Sequence, residues 1–576
     1  MRKTIKKIFY LLDYDDKKKT IIFIFLLLLT TFLETLSLAI VYPLIKILLN
    51  KSPAINFFNI FEIKIPNAWT LYETSLYLIL VIFFFYILKT LYLFFFYFWK
   101  SNFIYKLNNK ICEKLMVKYL YSPFSFFFYK NSSDFIRSIT YDSGHLNTGI
   151  DSYIKLFIEI LSIIGIILVL FLINPILAIF ILFIFSVLSY CFIFFLNKKI
   201  HNWAKKKQYY KSSVYKNLQE AFILIREIIL KGSQKYFIKK FNVNNSNLNI
   251  LSRNLMFTSD LPKIILEIIT IFIICVLFAS YYYFNSNIID LIPIITVYIL
   301  AIIRIVPCFS RVINCKQNIS ASSPSINLLY EEIVNLNSKK INKQKNNKKI
   351  EFKKEIEIKN LFYKYPNTNN YIFKNLNLTI KKNSLVFFVG PSGIGKSTLA
   401  DLISGLISAD KGSINVDKKA ILTSDENWKR KIGYISQTTH LFDDSIKNNI
   451  LFGSEEINKI NFNRVIKFAQ LNKFLSSLSN GINYYVGEDG KNLSGGQKQR
   501  IGIARGLYNN PEVLICDEIT SSLDVKNAHN ILKILRSLKE KMTIILITHN
   551  TKIISYADKV FYFKKNKDAE VILSEK

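Results

Sequence analysis

Methionine and tryptophan are scarce in this 576-residue chain, at four residues each, and Gly and Pro number only 18 and 12. So little Gly and Pro excludes collagen-like and linker-dominated architectures. The six cysteines (Cys112, Cys191, Cys275, Cys308, Cys315 and Cys516) form no C-x-x-C pair and match no zinc spacing. Most lie in apolar runs, where a free thiol packs as a small hydrophobe, so no disulfide framework is implied. Acidic side chains are also short: 41 Asp and Glu face 76 Lys and Arg, a formal net charge of +35. Such a surplus raises the question of a nucleic-acid or acidic-lipid partner. Yet only 11 of the cations are Arg, and the Lys are scattered along a chain also rich in Asn, Ile, Phe and Tyr. An A/T-rich codon bias produces that mixture, and no nucleic-acid partner is expected. The N-terminal stretch MRKTIKKIFYLLDYDDKKKT lacks a short apolar core followed by a small-residue cleavage site, so no cleaved signal peptide is expected.

What is abundant is apolar. Hydrophobic residues make up 51%, aromatics 15%, and the mean hydropathy is +0.24. Disorder is excluded and an all-soluble enzyme disfavoured. Spanning helices are expected at 21–49, 75–99, 153–173, 175–197, 262–285 and 291–317, each long enough to cross ~30 Å of hydrocarbon. Asn174 and Pro175 read as the turn between the third and fourth. Lys and Arg concentrate in 1–20, 100–152 and 198–260 and nearly vanish from 50–74 and 286–290. The positive loops stay inside, which puts both termini in the cytoplasm. The two long inner loops read as helical continuations of the spans. The outer stretch 50–74, with Phe57, Phe58, Phe61 and Trp69, reads either as an amphipathic piece or as an aromatic belt.

The domains expected are 1–330, a transmembrane domain with six helices and long cytoplasmic extensions; 331–350, a Lys/Asn-rich linker; and 351–576, a soluble domain. In the last, the strand-like runs EIEIKNLFYKY, SLVFFVG, IGYISQ, EVLICDE, MTIILITH and KVFYF alternate with helical patterns. That is the mark of an α/β domain with a largely parallel sheet.

Three strings carry chemistry. Gly390, Pro391, Ser392, Gly393, Ile394, Gly395, Lys396, Ser397 and Thr398 lie between the apolar run Leu385–Val389 and the helical LADLISGL, which is the context a P-loop requires. Its backbone N–H groups converge on phosphate oxygens, Lys396 reaches the β- and γ-phosphates, and Ser397 ligates Mg²⁺. The run VLIC ends in Asp517 and Glu518, a buried strand opening into a polar site. Asp517 is the expected Mg²⁺ partner and Glu518 the general base for water. Ser494, Gly495, Gly496 and Gln497 precede the helical run QRIGIARGLY and form a second anion site at a helix N-terminus.

The string LSGGQKQR resembles the signature of ATP-binding-cassette (ABC) proteins, and the order of membrane helices before cassette resembles exporter-type half transporters. The resemblance implies a membrane α-helical fold, a six-span ABC exporter transmembrane domain, joined to an α/β P-loop ATPase domain. It implies ATP and Mg²⁺ as cofactors. It also implies that Tyr365 stacks on adenine, that Gln437 contacts Mg²⁺ and the attacking water, and that His549 senses the γ-phosphate. The loop Tyr485–Gly490 looks like the exporter-specific loop, and the stretch around Asp524 looks like the dimer-contact loop. Ile519, Ser522, Ser436 and Asn550 depart mildly from the family pattern. One chain holds one P-loop and one signature, so a composite site implies a second copy, a homodimer. Coupling segments are expected around 134–148 and 220–236.

Charges inside the spans bear on the substrate: Glu34, Lys263, Glu267, Arg304 and Arg311. Each costs ~2.5–3.5 kcal/mol near a helix centre and needs a partner or water. Arg304 and Arg311 are seven residues apart, hence on nearly one face. Arg where Lys is abundant points to planar, bidentate recognition such as phosphate, or else to an internal pair with Glu34 or Glu267. The strings FLETLSLAIVYPLI, LPKIILE and YILAIIRIVPCFSRVI resemble those of PglK-type flippases of lipid-linked oligosaccharides. That resemblance implies a polyprenyl-pyrophosphate glycan moved from the inner to the outer leaflet of a bacterial cytoplasmic membrane. Export of another lipid, a peptide or a drug is the alternative, and an ATP-gated channel or regulator a more distant one.

Overall fold

The computed structural model describes residues 2–40, 71–173, 175–284, 288–338, 350–366, 368–454, 456–519, 525–565 and 571–575. The chain divides into two compact units. One comprises Met1–Ser122 and Lys130–Ser338, the other Pro123–Tyr129 and Lys339–Lys576.

The first unit is built of long helices: α1 (Arg2–Leu11), α2 (Tyr14–Ala39), α3 (Leu71–Leu120), α4 (Ser143–Ile173), α5 (Pro175–Ile223), α6 (Gln234–Phe284) and α7 (Ile288–Ser338). Helices α2 to α7 cover the described parts of the six expected stretches, and residues 41–49 of the first lie outside the described residues. Helix α3 has 50 residues, about 75 Å at 1.5 Å per residue, far more than a bilayer core needs. The extra length is the helical continuation expected of the inner loops. Among the described residues, three stretches are long and apolar enough to cross a membrane: Tyr14–Ser37, Ile79–Leu120 and Ser132–Leu172. Large side chains such as Phe83, Phe84, Phe94 and Phe98 stay exposed, as lipid-facing residues should. Inside, Phe23 stacks on Phe96 at 5.7 Å and on Trp99 at 5.6 Å, joining α2 to α3.

Helix α7 continues through Ser338, so the first residues of the expected linker are helical. Glu332 explains this: its buried carboxylate takes the Lys130 ammonium at 2.5 Å and the Tyr119 hydroxyl, contacts a solvated linker would not make. The remainder, 339–349, lies outside the described residues, as do Asn174 and most of the 50–74 stretch.

Asp142 is a second tie. It sits in the π-turn Ser138–Asp142 before α4, fully buried. Gln208 Nε2 of α5 donates to it at 2.7 Å, Ser325 Oγ of α7 at 2.6 Å and Arg137 Nε at 3.1 Å. One carboxylate thus joins three helices. Asp142→Ala takes one of two carboxylates from the buried Arg137, which keeps Asp134 at 3.2 Å, and leaves Gln208 and Ser325 without their acceptor; it should cost about 1–3 kcal/mol. Thermal unfolding in detergent measures this; an unchanged midpoint would remove Asp142 as a tie.

The second unit holds two sheets. The first is antiparallel, with strands β1 (Glu355–Tyr363), β2 (Phe373–Lys381), β4 (Lys411–Val416) and β5 (Lys419–Ala420) in the order β2-β1-β4-β5. The second has the order β10-β9-β3-β8-β7-β6, from β3 (Leu385–Val389), β6 (Ile432–Ile435), β7 (Val513–Asp517), β8 (Thr543–Thr548), β9 (Lys559–Lys565) and β10 (Val571–Glu575). It is parallel except for the β9–β10 pair. The run EIEIKNLFYKY therefore lies outside the parallel sheet it was expected to join. Its burial alternates along the strand, whereas β3 and β8 are buried at every position. A strand covered on both faces must be apolar throughout; one covered on a single face alternates. Helix α8 (Lys396–Ile403) follows β3, and helix α9 (Gly495–Tyr508) precedes β7.

Candidate nucleotide site and a membrane charge cluster

Strand order assembles the nucleotide site. In β3-β8-β7-β6 the neighbours run parallel, so their carboxyl ends share one edge. The P-loop leaves β3, His549 follows β8, Asp517 and Glu518 end β7, and Gln437 follows β6. Four loops distant in sequence thus open at one place, where open α/β sheets bind ligands.

The P-loop is shaped by two glycines. Gly395 has φ +106°, a conformation other residues rarely adopt. At Gly390 an added Cβ would lie 2.7 Å from the Phe563 carbonyl oxygen. Lys396 is buried and donates to the Gly390 and Pro391 carbonyls at 2.8 and 2.9 Å. An ammonium has three N–H groups, so one remains for a phosphate oxygen. Burial lowers its pKa, against the pull of Glu518 and Asp517. Thr398, in the first turn of α8, meets the Tyr365 hydroxyl at 2.9 Å. The aromatic side chain expected to stack on adenine is therefore tied to the phosphate loop, with the Phe128 ring edge-on at 5.6 Å. Phe128 belongs to Pro123–Tyr129, which folds with this unit, whereas the expected coupling segments 134–148 and 220–236 belong to the helical one.

Glu518 adopts φ +49°, a left-handed conformation costing a non-Gly residue about 1–2 kcal/mol. Its N–H bond to the Ile547 carbonyl, 3.0 Å, helps hold it. The turn aims its carboxylate at two partners: Gln437 Nε2 donates to Oε2 at 2.8 Å, and His549 Nδ1 lies 3.4 Å from Oε1. Asp517 accepts from the half-buried Tyr434 hydroxyl at 3.3 Å and from Ser397. A hydroxyl and a carboxylate make a hard oxygen pair, which suits Mg²⁺; that ion takes most of its shell from water and phosphate. The donor set fits.

Burial, with Asp517 nearby, pushes the Asp401 carboxyl up from 3.8 to about 6. The folded domain then holds a proton that the unfolded chain releases, so stability falls as pH rises from about 4 to about 6. Asp401→Asn should raise the melting temperature more near pH 7.5 than near pH 5, measured in EDTA without nucleotide. An equal gain at both would remove the burial effect.

Ser494 caps α9 in a capping box: its Oγ accepts from Gln497 N at 3.3 Å, and Gln497 Oε1 accepts from Ser494 N at 2.8 Å. Gly495 and Gly496 open the helix, and an added Cβ at Gly495 would meet nothing. Gln499 donates to the Ile519 carbonyl, which links this helix to the turn that holds Glu518. Asp524 and its neighbours lie outside the described residues.

In the helical unit the intramembrane charges part company. Arg311 pairs with Glu159 on α4 at 2.5 Å, so its charge is matched internally, though by neither of the carboxylates anticipated. Arg304 instead donates to the Glu34 carbonyl oxygen at 3.1 Å, the Ser37 hydroxyl at 2.7 Å and the Tyr86 hydroxyl at 3.1 Å. The buried Lys89 ammonium reaches the same Ser37 hydroxyl at 2.9 Å. The Glu34 carboxylate takes the Ser162 hydroxyl at 2.7 Å. Two cations thus converge on one serine. Glu267 is exposed on α6, and the Lys263 side chain is not described. Lys89 and Glu159 are absent from the sequence-based set. A lone Lys within LYLILVIFFFYILKTLYLFFF is the signal that marks the first.

Comparison with known proteins follows the same division. Residues 20–306 match the ABC transporter transmembrane region and 373–521 the ABC transporter family. The ATP-dependent lipid A-core flippase of Wigglesworthia glossinidia brevipalpis is 28% identical over 457 residues, 78% of this chain and 77% of that one. ABC transporter B family member 13 of Arabidopsis thaliana is 39% identical over 206 residues, 36% of this chain. The leukotoxin translocation ATP-binding protein LktB of Mannheimia glucosida is 37% identical over 221 residues, 38% of this chain. The chain spans 16% and 31% of the length of those last two. A bacterial Atm1-family ABC exporter structure with ATP bound superposes with a TM-score of 0.75, covering 95% of this chain and 93% of that one at 18% identity, a likeness of fold. With a matched transmembrane region ahead of one matched ATPase domain, and that fold throughout, the chain belongs to the ABC transporters and has the organisation of an exporter-type half transporter.

Proposed function

We propose that two copies of this chain form an ATP-driven flippase in a bacterial cytoplasmic membrane. Its cargo is a polyprenyl-pyrophosphate-linked oligosaccharide, carried from the inner to the outer leaflet for glycosylation. The observation that carries the substrate reading is the pairing of Lys89 and Arg304 on Ser37. Two cations in an apolar bundle, with one carboxylate nearby engaged by Ser162, make a place for a doubly charged anion. Arg311 has no such role, because Glu159 neutralises it. A glycan headgroup cannot enter hydrocarbon cheaply, since each unsatisfied polar group costs several kcal/mol. A basic cleft lowers that cost while the isoprenoid tail stays in lipid. The lipid A-core flippase among the relatives supports a lipid cargo in the broad sense.

For the ATPase, Lys396 and the P-loop amides hold phosphate, and Ser397 and Asp517 hold Mg²⁺. When bound, the ion offsets charge on the β- and γ-phosphates. Glu518 accepts the proton of the attacking water, Gln437 orients that carboxylate, and His549 lies on its other oxygen. Ser494 to Gln497, capped at the start of α9, close over the nucleotide held by the other copy. Closure and release of that pair of sites drive alternating access, because nucleotide binds the two states unequally.

A flipping assay in proteoliposomes tests the reading. Pyrophosphate-linked glycans should be translocated in an ATP-dependent way, and lipids lacking the pyrophosphate at no more than about a tenth of that rate. Equal rates for both would reject the substrate assignment.

A further inference from the structure

A cavity of about 960 Å³ opens in the helical unit between α1, α5 and α7, lined by Thr4, Tyr190, Phe194, Lys198, Lys199 and Lys316 among others. Its depth follows from the helices. Lys316 lies 12 residues beyond Arg304 on α7, about 18 Å along the axis. That carries it from mid-span to the edge of a hydrocarbon core ~30 Å thick. Lys198 and Lys199 stand where the apolar run of α5 ends, and Thr4 belongs to the basic N-terminal helix. All three elements lie on the Lys-rich side of the membrane, the cytoplasmic one.

The lining is divided by chemistry. Tyr190 and Phe194 stack at 6.1 Å, Phe195 meets Phe194 edge-on at 5.6 Å, and the buried Ile319 supplies a further apolar surface. Facing them are three Lys, with His201, Asn202, Ser320 and Ser323 as further hydrogen-bonding groups, and none of the described lining residues is Asp or Glu. An aromatic wall beside ammonium groups at an interface matches a molecule with a greasy end and an anionic one.

We propose that this cavity holds the phosphate headgroup of an anionic inner-leaflet lipid, its acyl chains lying against Tyr190, Phe194 and Phe195. The inference rests on the membrane reading and not on which cargo is carried, and the site is separate from the Lys89 and Arg304 pair.

The full chain in nanodiscs provides the test. Phe194→Trp places a reporter in the wall, and dibrominated phosphatidic acid or dibrominated phosphatidylcholine is the quencher, with the unsubstituted chain as background. Phosphatidic acid should quench at mole fractions on the order of tenfold lower. Combining Lys198→Gln, Lys199→Gln and Lys316→Gln should erase that preference, while Lys205→Gln with Lys206→Gln, outside the cavity, should leave it. Should the triple variant fold poorly, raising salt on the reporter chain gives the same reading, because screening should narrow the gap between the lipids. Equal quenching by both lipids, or a preference that survives both neutralisation and salt, would overturn the proposal. Millimolar glycerol phosphate should not relieve the quenching; relief would make the ligand a soluble phosphate and overturn the lipid assignment.

Discussion

Glu518→Gln is expected to lower steady-state ATP hydrolysis by about 10²–10⁴-fold, the contribution of a positioned general base, while ATP binding persists. The substitution keeps the shape of the side chain and its place beside Gln437 and His549. It removes only the capacity to take a proton. The P-loop, Lys396 and the capped start of α9 are untouched, so nucleotide should still bind and hold two copies together. Turnover by a coupled phosphate-release assay, beside nucleotide binding and size-exclusion of the ATP-loaded form, separates the two effects. Ordinary turnover in the variant would refute Glu518 as base. Loss of binding as well would show that its main work is to hold the turn, where its φ is +49°.

Arg304→Ala should reduce glycolipid translocation by about ten- to a hundredfold, the equivalent of the ~1.5–3 kcal/mol that a hydrogen bond to a charged group contributes. Basal ATP hydrolysis should change less, because the nucleotide site lies in the other unit. Lys89→Ala should act in the same direction. Because both cations share the Ser37 hydroxyl, the double variant should depart from the sum of the single effects. Arg311→Ala behaves differently: it leaves Glu159 unpaired, so the loss should appear first as instability. Measuring translocation and unfolding on all three separates these outcomes. Translocation that survives Arg304→Ala would remove the pyrophosphate reading, and equal unfolding losses in all three would make the Lys89 and Arg304 pair structural.

The nucleotide chemistry is legible in the sequence because it depends on the backbone. A P-loop needs glycines at fixed offsets between a strand and a helix, and a strand ending in two carboxylates carries its own pattern. Lys396, Ser397, Asp517, Glu518, Gln437 and His549 lie together at one edge of the parallel sheet. The antiparallel sheet was harder to see, since alternating and continuous apolar runs both read as strand. The difference lies in whether one face or two are covered.

Contacts within the membrane are another matter. Charge in an apolar run can be spotted, but its partner cannot, because pairing depends on which helix faces which. Arg304 and Arg311 look alike in sequence, seven residues apart on one helix. The fold gives Arg311 the Glu159 carboxylate and sets Arg304 on the Ser37 and Tyr86 hydroxyls and the Glu34 carbonyl, beside Lys89. Length, apolar period and glycine spacing alone determined a helical membrane unit followed by a P-loop ATPase domain, since those features set local backbone geometry. Which cations are neutralised, and where Glu518 aims its carboxylate, only the tertiary structure decided, because each depends on groups brought together from distant parts of the chain.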